Sequence, residues 1–214
     1  PNSTWNNQFT RVSSVLFDNV TLTTPNIISI PVLDADGNDS SGATGNDFQN
    51  TVAYISGDGN TPLVDSDVTI TDTDPNATNM VSATITLTNP QSGDALNVIN
   101  ANLPAGITAT GGGSSTINLS GVASIADYQL AFQELYFANN NDVVPGDDRV
   151  IQMQISNGDT LSPIATTTID VLGTPVVDTL VTTDTQPTIT GTWDNTTGTA
   201  LSVTVNLITY TLGV

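Results

Sequence analysis

The residues best placed to do chemistry in this chain are aspartates. Asp34-x-Asp36-Gly37-Asn38-Asp39 alternates carboxylates through a short loop. Gly37 permits a sharp turn there, so that side-chain oxygens converge on one point, as in loops that wrap Ca²⁺ with several oxygens at about 2.3–2.6 Å. The bidentate glutamate of an EF-hand is absent, so further ligands have to arrive from elsewhere in the fold. Asp65-x-Asp67 and Asp72-x-Asp74 flank a short apolar run at residues 68–71. In an extended strand that run separates Asp67 from Asp72 by roughly 16 Å, too far to share one ion. A count of strand directions, out along 27–33, back along 49–56 and out again along 68–71, assigns Asp72 and Asp74 to the Asp34–Asp39 loop and sends Asp65 and Asp67 toward the other pole. Asp34, Asp36, Asn38, Asp39, Asp72 and Asp74 are therefore the candidate ligands, with Asp47 a further member of the same loop. Asp178 and Asp184 straddle the start of the C-terminal segment and suit an ion at a junction. The competing reading of each position is an Asx-turn, in which the carboxylate folds back on the local backbone.

Composition sharpens the choice between a cation and a turn. Twenty of the 21 acidic residues are aspartate and one is Glu134, against two arginines, Arg11 and Arg149, giving a net charge of −19. Acidity for solubility alone would recruit glutamate as readily. The bias asks for the short side chain of turns and Ca²⁺ loops, and the uncompensated charge would destabilise a compact state unless a cation offsets it. Histidine, cysteine and lysine are all absent. That removes disulfides, thiolate ligands, Ser-His-Asp and Cys-His arrangements, Schiff bases and the P-loop lysine, and leaves two arginines to neutralise a nucleic-acid backbone. No stretch approaches the ~20 apolar residues of a membrane-spanning helix. Paired carboxylates could hydrolyse glycosides, but Trp5 and Trp193 stand in different segments and aromatics are 5% of the chain. Threonine rows such as Thr84, Thr86 and Thr88 read as an ordinary solvent face rather than an ice-binding one. The chain is expected to be non-catalytic.

The elements that must position these aspartates are short β-runs separated by Gly, Asn, Asp and Pro, which predicts an all-β antiparallel sandwich. The clearest runs cover residues 27–33, 49–56, 68–71, 80–89, 115–121, 149–156 and 164–172. In residues 81–88, Val81, Ala83, Ile85 and Leu87 share one face and Ser/Thr the other. One segment departs from this rhythm. Ser124 in N-cap position, Asp127 three residues on, and Ile125, Tyr128, Phe132 and Leu135 at helical spacing predict a short helix before a strand near 135–139. Glu134 reads as a surface residue of that helix. Asp142, Asp147 and Asp148 before Arg149 read as a hairpin turn whose charge the arginine partly offsets. Three segments result: 1–26 as orphan strands or the end of a preceding β domain, 27–173 as the sandwich, and 174–214 as a partial β domain. The last has too few strands to close by itself, so it is expected to pack on residues 15–20, on the sandwich or on a second copy of the chain.

Four segments in order carry a resemblance: 34–48, 68–74, 82–89 and 121–129. Together they resemble the cadherin-like β-sandwich repeats of very large bacterial surface adhesins, including those with repeats-in-toxin secretion signals, over residues 30–172. Residues 175–178, 183–192 and 201–210 are similar to the opening half of a bacterial Ig-like repeat. Residues 17–20 faintly resemble the last strand of a carbohydrate-binding jelly roll. The resemblance implies an exported, extracellular, non-catalytic spacer stiffened by Ca²⁺, flanked by neighbouring repeats of one long chain, with a biofilm or cell-adhesion role. Homo-oligomers through the incomplete terminal segments are a further expectation; nucleic acid and membrane insertion are not. The alternatives are a ligand- or glycan-binding module of the adhesin, or an accessory domain of a secreted hydrolase.

Overall fold

The computed structural model describes residues 29–53, 60–141, 147–172, 176–192, 200–205 and 207–213. The segment expected to hold orphan strands at residues 1–26 lies outside them, and so does its expected pairing with the C-terminal segment. The described residues are all-β with one α-helix. A six-stranded sheet is built from β2 (Phe48–Ala53), β11 (Ala165–Leu172), β10 (Arg149–Ser156), β5 (Asn79–Leu87), β8 (Thr116–Ser124) and β7 (Thr108–Thr110), in that order across the sheet. All its pairings are antiparallel except β2 with β11, which runs parallel. A three-stranded sheet holds β3 (Thr61–Pro62), β9 (Leu135–Asn139) and β6 (Asp94–Val98), and β1 (Pro31–Asp34) pairs with β4 (Thr69–Asp72).

One continuous core joins these sheets. Ile85, Leu119, Ile151 and Ile169 come from the six-stranded sheet, Leu96 and Phe137 from the three-stranded one, and Leu33 and Ile70 from the β1–β4 pair. The period-2 alternation of the strands delivers this: in β10 every second residue is buried, from Arg149 through Ile151 and Met153 to Ile155. In β5 the alternation holds for Ala83, Ile85 and Leu87 but not for Val81. The register shifts between Met80 and Ser82, and Met80 is fully buried instead. An extra residue at a bulge reverses the phase of the pleat, so the apolar side chain before the bulge takes the core position.

The helix α1 (Ile125–Gln133) follows the sequence expectation closely. Ser124 accepts from the Asp127 N–H at 3.1 Å, and the Asp127 carboxylate accepts back from the Ser124 N–H at 3.3 Å, a reciprocal capping box. Tyr128, Ala131 and Phe132 are buried, and large side chains of this kind contribute roughly 1.5–3 kcal/mol each. The Tyr128 hydroxyl donates to the Gly121 carbonyl at 2.8 Å, and burial pushes its pKa up to about 12. The exposed polar side of the helix is tied down too. Gln129 and Gln133 donate to the carbonyls of Val68 and Ser66, each at 2.8 Å, which fixes the loop carrying Asp65 and Asp67.

Asp142 of the expected turn lies outside the described residues, and Arg149 pairs its charge elsewhere than in that turn. Its side chain is wholly buried and its Nε donates to Asp94 Oδ2 at 2.6 Å, with Asp94 equally buried. Asn139 also donates to Asp94 at 2.7 Å. The arginine therefore reaches into the core from the inward face of β10, to a partner 55 residues away, and closes a polar corner between β6, β9 and β10. Its link to the preceding loop is a bond to the Asp147 carbonyl.

In the C-terminal segment β12 (Val176–Val177) pairs with β13 (Gly191–Thr192), and β14 (Ala200–Val205) pairs with β15 (Ile208–Gly213). The run 201–210 is thus a hairpin, turning where Leu207 has φ 67°. Among the described residues no strand of this segment pairs with the sandwich sheets.

Candidate metal centre

The β1–β4 pairing sets the geometry. Its antiparallel register aligns Pro31 with Asp72 and Asp34 with Thr69. The loop leaving β1 therefore meets the loop entering β4, and the Asp65 N–H donates to the Ala35 carbonyl at 2.8 Å. Gly37 is required at this crossing. A Cβ there would lie 2.8 Å from the Asp67 carbonyl oxygen and 3.1 Å from Thr69 Cγ2. A glycine lets the two backbones approach so closely.

Asp36, Asp65 and Asp67 meet at this point, each offering a carboxylate oxygen within 4.8 Å of the others. Asp36 is fully buried. Its carboxylate accepts from the Ser40 N–H at 3.1 Å and the Ser41 N–H at 2.8 Å. Burial raises the Asp36 pKa, but these bonds, with the serine hydroxyls, outweigh it and hold the group below its ordinary value. The Ser40 hydroxyl lies between two acids, 2.9 Å from Asp65 Oδ2 and 3.4 Å from Asp36 Oδ1. Asp65 Oδ1 accepts from the Ser66 N–H at 2.5 Å. Asp67 differs from both. Its Oδ1 is buried with no hydrogen-bond partner. Three carboxylates, one of them with an oxygen that lacks a donor, and a hydroxyl form a hard, all-oxygen set, the type that holds Ca²⁺ or Mg²⁺. The three like charges repel one another, and the partial exposure of Asp65 and Asp67 lets solvent screen much of that repulsion.

This grouping overturns the expectation that Asp72 and Asp74 join Asp36. An antiparallel β1–β4 pair needs an odd number of chain reversals, whereas the direction count allowed two. The count made no allowance for β3, a two-residue strand ending in Pro62 that leaves almost no periodic signal and pairs with β9. Asp72 instead sits beside the start of β1, where its carboxylate accepts from the Ser29 hydroxyl at 2.6 Å, from Asn157 Nδ2 at 2.8 Å and from the Asp74 N–H at 2.8 Å. Burial pushes its pKa up, and these three bonds bring it below the ordinary value. Asp74 accepts from Asn76, through both its backbone and its side-chain N–H.

The other candidates make local turns or tie loops. Asp34 accepts from the Asp36 N–H and Asn38 from the Ser40 N–H, both two residues on. Asp39 takes a left-handed φ of 54°, which aspartate tolerates better than most residues. Asp47 accepts from the Thr166 N–H at 2.8 Å and ties its loop to β11. Asp178 accepts from Thr190 Oγ1 at 2.7 Å, and Asp184 from the Gln186 N–H at 2.9 Å. Among the described residues neither belongs to a group of three potential ligands. The sequence signal for Asp65 and Asp67 was the same D-x-D spacing as for Asp72 and Asp74; the pairing partner of β1 separates the two.

Comparison of the chain with protein-family models, with curated proteins and with solved structures finds no match.

Proposed function

We propose that this chain is a non-catalytic structural module of a bacterial cell-surface adhesin, stiffened by Ca²⁺ held at Asp36, Asp65 and Asp67. The observation that carries the reading is Asp67 Oδ1, shut away from solvent without a donor beside two further carboxylates. A buried anionic oxygen without a partner is costly, and a divalent cation offsets both that cost and the repulsion among the three acids. Ca²⁺ suits the site better than Mg²⁺, because it accepts irregular carboxylate, hydroxyl and carbonyl sets, whereas Mg²⁺ demands near-ideal octahedral geometry. The ion would join the β1–β2 loop to the β3–β4 loop, two segments otherwise tied by a few hydrogen bonds. A net charge of −19 and a surface of short polar strands suit an exported spacer whose partners are neighbouring modules of the same chain.

Titration calorimetry and thermal melts test the reading. Ca²⁺ is expected to bind and raise the melting temperature, Mg²⁺ to do so far less, and chelator to reverse the gain. Metal-free protein whose melt ignores Ca²⁺ would remove the basis for the proposal.

A further inference from the structure

Asn157–Gly158 is the chain's one Asn-Gly dipeptide, and it occupies the turn between β10 and β11. Asn157 is half-buried and Gly158 exposed, with φ 101°. The Asn157 carboxamide is the hub of a polar clamp on the start of β1. Its Nδ2 donates to Asp72 Oδ2 at 2.8 Å and approaches the Ser29 hydroxyl at 3.0 Å and the Ser29 carbonyl at 3.2 Å. Its Oδ1 accepts from the N–H groups of Asp159, at 3.1 Å, and Thr160, at 3.0 Å. The Thr160 hydroxyl also donates to the Ser29 carbonyl, and the next residue, Ile30, exchanges bonds with Thr73. Every acceptor facing Nδ2 is an oxygen, and one belongs to a carboxylate. The Asn157 amide shares its two N–H bonds among these three oxygens.

We propose that Asn157–Gly158 is a self-modification site whose reaction releases this clamp. The backbone nitrogen of Gly158 gives up its proton and attacks Asn157 Cγ. The new C–N bond closes a five-membered succinimide as the Cγ–Nδ2 bond breaks and ammonia leaves. Water then opens the ring to aspartate or isoaspartate, so the net change is amide plus water to acid plus ammonia, with no oxidant or other reactant. Glycine makes the attack sterically open because it carries no side chain. The clamp opposes the reaction in the folded state, since Asn157 Cγ is held by bonds at both its nitrogen and its oxygen, and the Gly158 N–H is engaged by Ser156 Oγ at 3.1 Å. Once formed, the acid has no hydrogen to donate. It presents a second carboxylate to Asp72 and an acceptor to the Ser29 carbonyl, and the start of β1 keeps only the Thr160 hydroxyl bond to the β10–β11 turn.

Two measurements on the full chain test this. The chain is incubated in mildly alkaline buffer beside the free peptide Gln154–Thr160, and conversion of each asparagine is followed by peptide mapping. Asn157 is expected to react first among the chain's asparagines, but more slowly than in the peptide by about tenfold, the effect of one to two net hydrogen bonds. Another asparagine reacting first, or equal rates in protein and peptide, overturns the proposal. Asn157→Asp, made directly, is then compared with the native chain by amide exchange. Exchange at Ile30 is expected to accelerate about tenfold or more through local opening, while Ile85 in β5 keeps its protection. Unchanged exchange at Ile30 shows that the carboxamide does not hold the clamp, and overturns the proposal as well.

Discussion

Two aspartate corners flank the same pair of strands, and they are built in opposite ways. At the start of β1, Asp72 receives three donors, from Ser29, Asn157 and Asp74. At its end, Asp67 keeps a buried oxygen with none, and faces Asp36 and Asp65. Both acids come from identical D-x-D spacing five residues apart. One corner is complete within the protein; the other has an anionic oxygen that needs a partner. A local aspartate pattern therefore does not distinguish a structural brace from a carboxylate left without donors. The count of donors reaching each carboxylate does, and those donors come from residues distant in sequence.

The sharpest way to break this contrast is calcium itself. At one hundred times its dissociation constant, Ca²⁺ should stabilise the chain by about 2.7 kcal/mol. Asp67→Ala should abolish that increment in thermal melts, whereas Asp72→Ala should retain it. The reverse result would exchange the roles of the two corners. In metal-free protein the order of damage inverts. Asp72→Ala strands three donors and should cost about 1–3 kcal/mol by urea denaturation.

Acid titration of the metal-free chain should show a smaller effect. Asp36 and Asp72 both have folded pKa values below the ordinary 3.8. Their stabilisation is fully present above the unfolded value of about 3.9 and is lost as pH falls through the folded values. Stability should accordingly decline below about pH 4, and Asp72→Asn should flatten part of that decline. A pH profile identical in Asp72→Asn and the native chain would contradict the brace. The smallest expected effect is at the incomplete corner. Asp67→Asn in metal-free protein removes one charge from a repelling trio and should leave stability unchanged or raise it by less than about 1 kcal/mol. A loss well beyond that would mean that Asp67 has a donor after all.

The period-2 alternation of β10 and β11, the capping box at Ser124 and the strand at 135–139 were all legible along the chain, because each depends on neighbours within a few residues. So was the concentration of aspartate in turns, and the absence of histidine, cysteine and lysine that leaves oxygen as the available ligand chemistry. Tertiary structure decided what lay between distant segments. The antiparallel pairing of β1 with β4 settled which D-x-D pair meets Asp36, a long-range pairing that no local pattern reveals. A bulge moved Val81 out of the core and Met80 into it, since one inserted residue reverses a phase that sequence reading assumes constant. Arg149 pairs its charge with Asp94 rather than with the carboxylates next to it in sequence, because an inward position on β10 placed it beside a buried carboxylate. Local preferences are set by backbone and side-chain sterics within a few residues. Donor counts, desolvation and charge pairing are set by whatever the fold brings within a few ångströms, and that is where the two corners acquire their difference.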